Sequence, residues 1–346
     1  VPDTMSLPEE SFLTLGMESS CDDTAVAVLR GGRQVEAELL SSQLEDHVPF
    51  GGVIPEFAAR RHLEAFLPLT EEALRRAGVA DPRREIGLVA VTAGPGLMGS
   101  LLVGVMAAKA LSLAWDVPLL GVNHLEGHIF ANVVSHPELS PPFLCMVVSG
   151  GHTEIVLVKK FGTYIFLGGT RDDAAGEAYD KVAKVLGLPY PGGPVVDKLA
   201  ASGNPDAFDF PSPLKGSPEI VFSFSGLKTA VLTRIKKLRN EGIEIPVEDV
   251  CASFQRAVTD SLMTKLRLAS RRTGVRSVSI SGGVAANSAL RNALLQEKGW
   301  KVFLPPKNRC TDNAVMIAAA GYSAFRRGAR SSLDLAPDPS WELWKK

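Results

Sequence analysis

The chain has 346 residues, 37 basic and 38 acidic side chains, a formal net charge of −1 and an apolar fraction of 45%. That length predicts two lobes of ordinary domain size, and near-neutrality excludes a strongly basic nucleic-acid coat while leaving room for a local basic face. Cys21, Cys145, Cys251 and Cys310 lie far apart with no C-x-x-C pair, a pattern that suggests neither a disulfide framework nor a cysteine zinc site and fits a reducing cytosol.

The opening VPDTMSLPEES has neither a basic n-region nor an apolar h-region. Residues 1–11 are therefore expected to be a disordered extension rather than a secretory signal. FLTLGMESSCDDTAVAVLR then reads as an apolar strand, a small polar turn and a second strand; PFLCMVVSGGHTEIVLVKK repeats the design. Later in each half a strand runs into glycines and opens a helix, in IGLVAVTAGPGLMGSLLVGVMAAKAL and in VRSVSISGGVAANSALRNALL. Apolar spacing of three and four residues predicts helices over PEFAARRHLEAFLPLTEEALRRAG, DDAAGEAYDKVAKVLG and VEDVCASFQRAVTDSLMTKLRLASRRTG. GSLLVGVMAAKALSLAW is broken by Lys109 and followed by DVP, so it reads as a buried helix rather than a membrane span. The class is α/β, in two similar lobes: 12–135 plus 311–335, and 140–310, joined at the proline-rich SHPELSPP. The last helix, TDNAVMIAAAGYSAFRRG, is expected to pack back on the first lobe.

Chemistry concentrates in a few places. In GVNHLEGHIFANV, His124 and His128 stand about 40° apart on one helix face and can share a metal ion. Glu126 is about 200° round from His124, one position late for the H-E-x-x-H protease motif, in which the glutamate serves the metal-bound water. A histidine pair at this spacing also arises by accident on helix surfaces. Asp312, at the start of the last helix, has two readings: a helix cap, or a third ligand completing a His-His-Asp set with open positions.

The turns Glu18–Thr24 and Ser149–Thr153 occupy equivalent places in the two lobes and would face one ligand in a cleft between them. Their small residues expose backbone N–H groups suited to phosphate or carboxylate, and Asp22 and Asp23 suit a metal or its water; taken singly, each could be a plain hairpin turn. Gly282 and Gly283 end a strand, with Asn287 in the first turn of the next helix, as in many nucleotide sites, although such glycines equally ease packing. YPGGPVVDKLA opens a helix after a stiff turn. Asp180 on its helix would ordinarily be solvated. Basic runs in TRIKKLRN and KLRLASRRTGVR could meet nucleic-acid phosphates, with no aromatic RNA-binding motif beside them.

Together GMESSCDDTAVAV, GGVIPEFAARRH, TAGPGLMGSLLVG, NHLEGH, VVSGGHTEI, DDAAGEAYDKVAKVLGLPYPGGP, FSFSGLKTAV, SGGVAANSALR and CTDNAVMIA make the chain resemble, from Leu13 to Gly328, the TsaD family. These are the bacterial tRNA N6-adenosine threonylcarbamoyltransferases, formerly labelled O-sialoglycoprotein endopeptidases. The resemblance implies a duplicated actin-like, Hsp70-like (ASKHA) two-lobed fold with an interlobe cleft. It implies transfer of threonylcarbamoyl from threonylcarbamoyl-adenylate to N6 of the adenine 3′ of the anticodon in tRNAs reading ANN codons, releasing AMP. The family's metal ligands fall on His124, His128 and Asp312, holding Fe2+ or Zn2+. Its adenylate contacts fall on Val147, Val148, Ser149, Gly150, Gly151, Asp180, Gly193, Asp197 and Asn287, and its first-turn acids on Asp22 and Asp23. Asp23 stands where many relatives have glutamate. Val148 stands where archaeal and eukaryotic relatives often carry a tyrosine ligand, which points to the bacterial or organellar branch. Implied partners are tRNA, a TsaB-like paralogue and a TsaE-like ATPase, without a membrane, in a bacterial cytoplasm. A kinase or chaperone of the same fold, or a non-catalytic scaffold paralogue, is the competing expectation.

Overall fold

The computed structural model describes residues 12–344; the extension expected over residues 1–11 lies outside them. The chain divides into two compact units, one running to Pro137 and resuming at Asp312, the other Glu138–Thr311.

The first unit runs β1 (Leu13–Glu18), β2 (Asp23–Arg30), β3 (Gln34–Ser42), α1 (Leu44–His47), α2 (Pro55–Arg76), α3 (Pro82–Glu85), β4 (Ile86–Gly94), α4 (Met98–Trp115), β5 (Leu119–Asn123) and α5 (His124–Ser135). The second runs β6 (Phe143–Val148), β7 (Thr153–Lys160), β8 (Thr163–Gly169), α6 (Ala175–Leu186), α7 (Gly192–Ala200), α8 (Ser225–Asn240), α9 (Val247–Thr273), β9 (Ser277–Ser281), α10 (Ser288–Leu295) and β10 (Lys301–Phe303). The chain then returns to the first unit with α11 (Ala314–Arg326).

The two sheets have orders β3-β2-β1-β4-β5 and β8-β7-β6-β9-β10, the same order strand for strand. In each, the first two strands are antiparallel and the first pairs in parallel with the strand that precedes the glycines. Both units are thus copies of one mixed-sheet α/β plan. The sequence pattern shows none of the four outer strands: β5 and β10 are short, at five and three residues, while β3 and β8 are long but obscured. Each carries exposed apolar residues, Leu40 in β3 and Ile165 and Phe166 in β8, so the two-residue alternation of a half-buried strand is blurred.

Alternation along β1 and β4 sorts the first unit's core. Leu13, Leu15, Met17, Val89 and Val91 cluster with Phe66 of α2 and Val105 of α4. Gly16 and Ala90 turn instead to α11, whose small residues Ala314, Ala318 and Gly321 allow close approach. Period-two geometry puts Glu18 and Thr92 on that same face.

α4 departs from expectation. Ser100, Leu101, Gly104, Val105, Ala108 and Ser112 are buried, but Met98, Leu102, Met106 and Leu113 are exposed. It is long and apolar enough to cross a membrane, the one such helix among the described residues. Because it is apolar all round, its sequence could not tell which face the sheet would cover. The second unit's core gathers Tyr179, Phe222, Phe224, Phe254 and Leu262 around the 27-residue α9.

Candidate functional site

His124 and His128 begin α5 directly after β5, and Asp312 lies just ahead of α11. Gly127, between the histidines, makes room for α11: a β-carbon there would stand 2.6 Å from Ile317 Cδ1. That close approach brings Asp312 Oδ1 to 3.4 Å from His124 Nε2 and 3.3 Å from His128 Nε2. One ligand atom from each of the three residues lies within 4.8 Å of the others. Both ring nitrogens of His128 are buried without a hydrogen-bond partner. Such orphans are rare and costly in a folded protein, and a divalent ion bound between the three residues would take up one of the two, Nε2, which faces Asp312. The donor set therefore fits a metal.

Glu18, at the end of β1 and fully buried, explains how His124 is aimed. Its Oε1 accepts the Ser20 N–H at 2.5 Å, and its Oε2 accepts the Thr92 hydroxyl at 2.6 Å and faces His124 Nδ1 at 3.1 Å. A carboxylate accepts there, so Nδ1 carries the proton and Nε2 is turned to Asp312. Burial alone would raise the Glu18 and Asp312 carboxyls; the His124 imidazole overrides it and holds both low. Burial alone would lower His124; the flanking Glu18 and Asp312 raise it well above an ordinary histidine. The sequence reading quoted Glu18 without giving it a role. The available signal was an acid closing an otherwise apolar strand, a place where a carboxylate needs a partner.

The turn after Glu18 is clamped by His62 of α2. Its Nε2 donates to the Cys21 carbonyl at 2.9 Å, and its Nδ1 accepts from the Thr24 hydroxyl at 2.7 Å. Burial lowers its pKa, which keeps the ring neutral, as this pairing requires. Within the turn, burial, then Asp312, Asp22 and Glu18, push the Asp23 carboxyl up to about 7 against a hydrogen bond from Ser42. Its Oδ1 is buried and unpartnered.

The structure bears on the cap reading of Asp312 and on the placement of Glu126. The side-chain cap of α11 is Asn313, which accepts the Met316 N–H, so Asp312 is not spent as a cap. Glu126 pairs with Arg327 at 3.2 Å, away from the His-His-Asp cluster. All four cysteines are free, and burial raises each thiol's pKa, so none is poised as a nucleophile.

The residues expected to meet an adenylate all lie in the second unit, on one circuit of contacts. Gly282, at φ +88, passes so close to β6 that a β-carbon would meet the Val148 carbonyl oxygen at 2.4 Å. From Val147 and Val148 the chain enters Ser149–Gly151, and the Ser149 carbonyl accepts the Gly176 N–H at the start of α6. One turn on, Asp180 accepts the Gly192 N–H at 2.7 Å, with Gly193 beside it. Burial raises the Asp180 carboxyl against those N–H groups. Asp197 of α7 accepts both the N–H and the hydroxyl of Ser288, which adjoins Asn287. Asn287 is the cap of α10 rather than a residue of its first turn. Its Oδ1 takes the Leu290 N–H and its Nδ2 donates to Gln255 and Tyr179, so its amide is fully committed to holding the loop.

The family model described as TsaD, tRNA N6-adenosine threonylcarbamoyltransferase, matches residues 34–319. Proteins of that description include one from Dictyoglomus turgidum, 49% identical over 97% of this chain and 100% of its own length. One from Anaeromyxobacter dehalogenans is 50% identical over 95% of this chain and 99% of its own. Solved structures share the fold at low identity. HypF of T. kodakarensis has TM-score 0.63 and 15% identity, covering 95% of this chain and 50% of that one. The Acidaminococcus fermentans (R)-2-hydroxyglutaryl-CoA dehydratase component A has TM-score 0.54 and 17% identity, covering 90% and 98%. The fold is thus of the actin-like ASKHA type.

Proposed function

Because the chain belongs to the TsaD family of tRNA N6-adenosine threonylcarbamoyltransferases, we propose a reading of how its residues serve that reaction. The enzyme transfers threonylcarbamoyl from threonylcarbamoyl-adenylate to N6 of the adenine 3′ of the anticodon in tRNAs reading ANN codons. The bond formed joins N6 to the carbamoyl carbon; the bond broken joins that carbon to the phosphate oxygen, and AMP leaves with the electron pair. An exocyclic adenine amine is a weak nucleophile, so orientation and a good leaving group must carry the rate.

His124, His128 and Asp312 would hold one Fe2+ or Zn2+ ion. When bound, that ion would supply a Lewis acid that polarises the donor. The observation that carries this is the buried His128 Nε2, which makes no hydrogen bond and stands with His124 and Asp312 in one cluster of ligand atoms. Glu18 keeps His124 in the tautomer that presents Nε2. Asp23, raised to about 7, is suited to take the proton lost from N6 at neutral pH, with Asp22 beside it in the turn. Gly150 and Gly151 would offer backbone N–H groups to the adenylate, beside Ser149 and Gly193, whose own N–H groups serve His152 and Asp180 in a frame tied by Asp180, Asp197 and Asn287.

The partners are a smaller TsaB-like paralogue and a TsaE-like ATPase. An exposed apolar row on two adjacent helices, Leu63 and Leu67 of α2 with Leu102, Met106 and Leu113 of α4, supports a protein partner on that face. The setting is a bacterial cytoplasm. The competing kinase reading is weakened by a histidine-rich donor set, since Mg2+ prefers carboxylate and phosphate oxygens.

The test is mass analysis of nucleosides from tRNA incubated with the protein, its partners, threonine, bicarbonate and ATP. N6-threonylcarbamoyladenosine is expected. No product with every component active would refute the reading.

A further inference from the structure

α8 carries Lys228, Arg234, Lys236, Lys237 and Arg239 and not one acidic residue, in a chain whose net charge is −1. Cations near a helix C-terminus complement the helix dipole, which accounts for Lys237 and Arg239. Two of the five are occupied within the fold: Lys228 pairs with Asp173 at 2.6 Å, and Arg239 also donates to the Val185 carbonyl at 3.0 Å. Neither argument covers Arg234.

Arginines elsewhere in the chain, such as Arg61, Arg75, Arg171 and Arg267, sit against carboxylates. Among the described residues no carboxylate pairs with Arg234. Its guanidinium lies 5.3 Å over the ring of Phe208, which stacks on Phe210 with centroids 5.5 Å apart. An aromatic face positions the cation without neutralising it and leaves its N–H fork available.

That fork borders an open groove of about 650 Å³ between residues 207–211 and α8, lined among others by Phe208, Asp209, Phe210, Thr233, Arg234 and Lys237. The Thr229 and Thr233 hydroxyls also border it, but both donate to carbonyls one turn back. The charged donors left to the groove are Arg234 and Lys237; Lys237 meets Glu241 only loosely, at 3.8 Å on an exposed surface. Asp209 is the sole acid among the lining residues. A groove with two cations three residues apart on a helix, one a planar fork, matches consecutive phosphates of a polynucleotide.

We propose that this groove binds the sugar–phosphate backbone of the tRNA substrate, with Arg234 and Lys237 as its phosphate contacts. The inference rests on tRNA being the substrate and adds where the second unit grips it. The contacts are sequence-independent; they add affinity and position the RNA without reading its bases.

The test compares the full-length chain, assembled with its partners, with Arg234→Gln/Lys237→Gln and with Arg234→Lys. tRNA affinity is titrated over a range of salt concentrations, followed by steady-state kinetics. The double variant should bind tRNA about 3–10-fold more weakly at low salt, with a log–log salt slope shallower by about 1–2. KM for tRNA should rise in step, while kcat and KM for the adenylate stay within about two-fold. Arg234→Lys should fall between. Unchanged tRNA affinity and slope would overturn the proposal, as would a loss confined to adenylate binding or to binding of an acidic protein partner. Because binding is read directly, a parent chain that binds tRNA but forms no product would count against the proposed reaction and not against the groove.

Discussion

Glu18 and His124, 106 positions apart in the chain, meet at one end of the sheet, where β1 and the β5–α5 junction flank β4, with Glu18 Oε2 at 3.1 Å from His124 Nδ1. The carboxylate fixes which imidazole nitrogen carries the proton and so which one is free to ligate. Glu18→Gln keeps the size and removes the charge. Metal affinity should fall about 10–100-fold, measured by chelator competition. Parent-like affinity would mean that Glu18 serves only the turn.

Asp312→Asn weakens a charged ligand while leaving the helix cap intact, because Asn313 does the capping. The variant should stay folded, lose bound metal by elemental analysis, and lose most transfer. Glu126→Gln breaks an ion pair with Arg327 remote from the cluster and should keep most transfer. Equal loss of activity in the two variants, with metal retained in both, would contradict the ligand assignment.

Asp23 makes a pH prediction. Its native carboxyl, near 7, holds a proton more tightly than the unfolded chain, whose value is near 3.8. Stability therefore falls as pH rises from about 4 to about 7, because the native state must ionise a buried acid. In metal-free protein at about pH 8, Asp23→Asn should be more stable than the parent by about 1–2 kcal/mol, after allowance for partial solvent screening. Near pH 4 the two should converge. Urea unfolding with a chelator present checks this, and a gap that stays constant with pH would exclude it.

Asn287→Ala removes a cap and leaves Gln255 and Tyr179 without their amide donor, for a cost of about 1–3 kcal/mol. Asn287→Ser, which keeps a cap acceptor, should recover part of it. Thermal unfolding of both reports the difference. Nucleotide affinity that drops in Ala and returns in Ser would mark a positioning role rather than direct contact.

The two strand–turn–strand units and the helices after them were legible because their apolar runs are long and their punctuation is strong. The four outer strands were not: exposed apolar residues erase the alternation of β3 and β8, and β5 and β10 are too short to show one. The His-His-Asp set was visible as spacing, but its decisive features are tertiary. Asp312 reaches the histidines only because Gly127 lets α11 approach, and Glu18 finds Thr92 and His124 only once three strand ends are neighbours. Asn287 shows the converse: its placement near a helix start was readable, whereas its exhausted hydrogen-bonding capacity was not.

Identical strand order in the two sheets makes one scaffold position directly comparable between them. Where β1 closes on Glu18, β6 closes on Val148, and the neighbouring strand offers Thr92 in one case and Gly282 in the other. One copy supplies charged side chains at its strand ends, while the other strips side chains away and presents bare peptide groups. The same architecture thereby yields a cluster of side-chain ligands suited to a cation and a rim of peptide groups suited to an anion. A carboxylate grafted at Val148 would have no hydroxyl opposite it and Gly282 pressed against its backbone, so the two ends are not interchangeable despite their common plan.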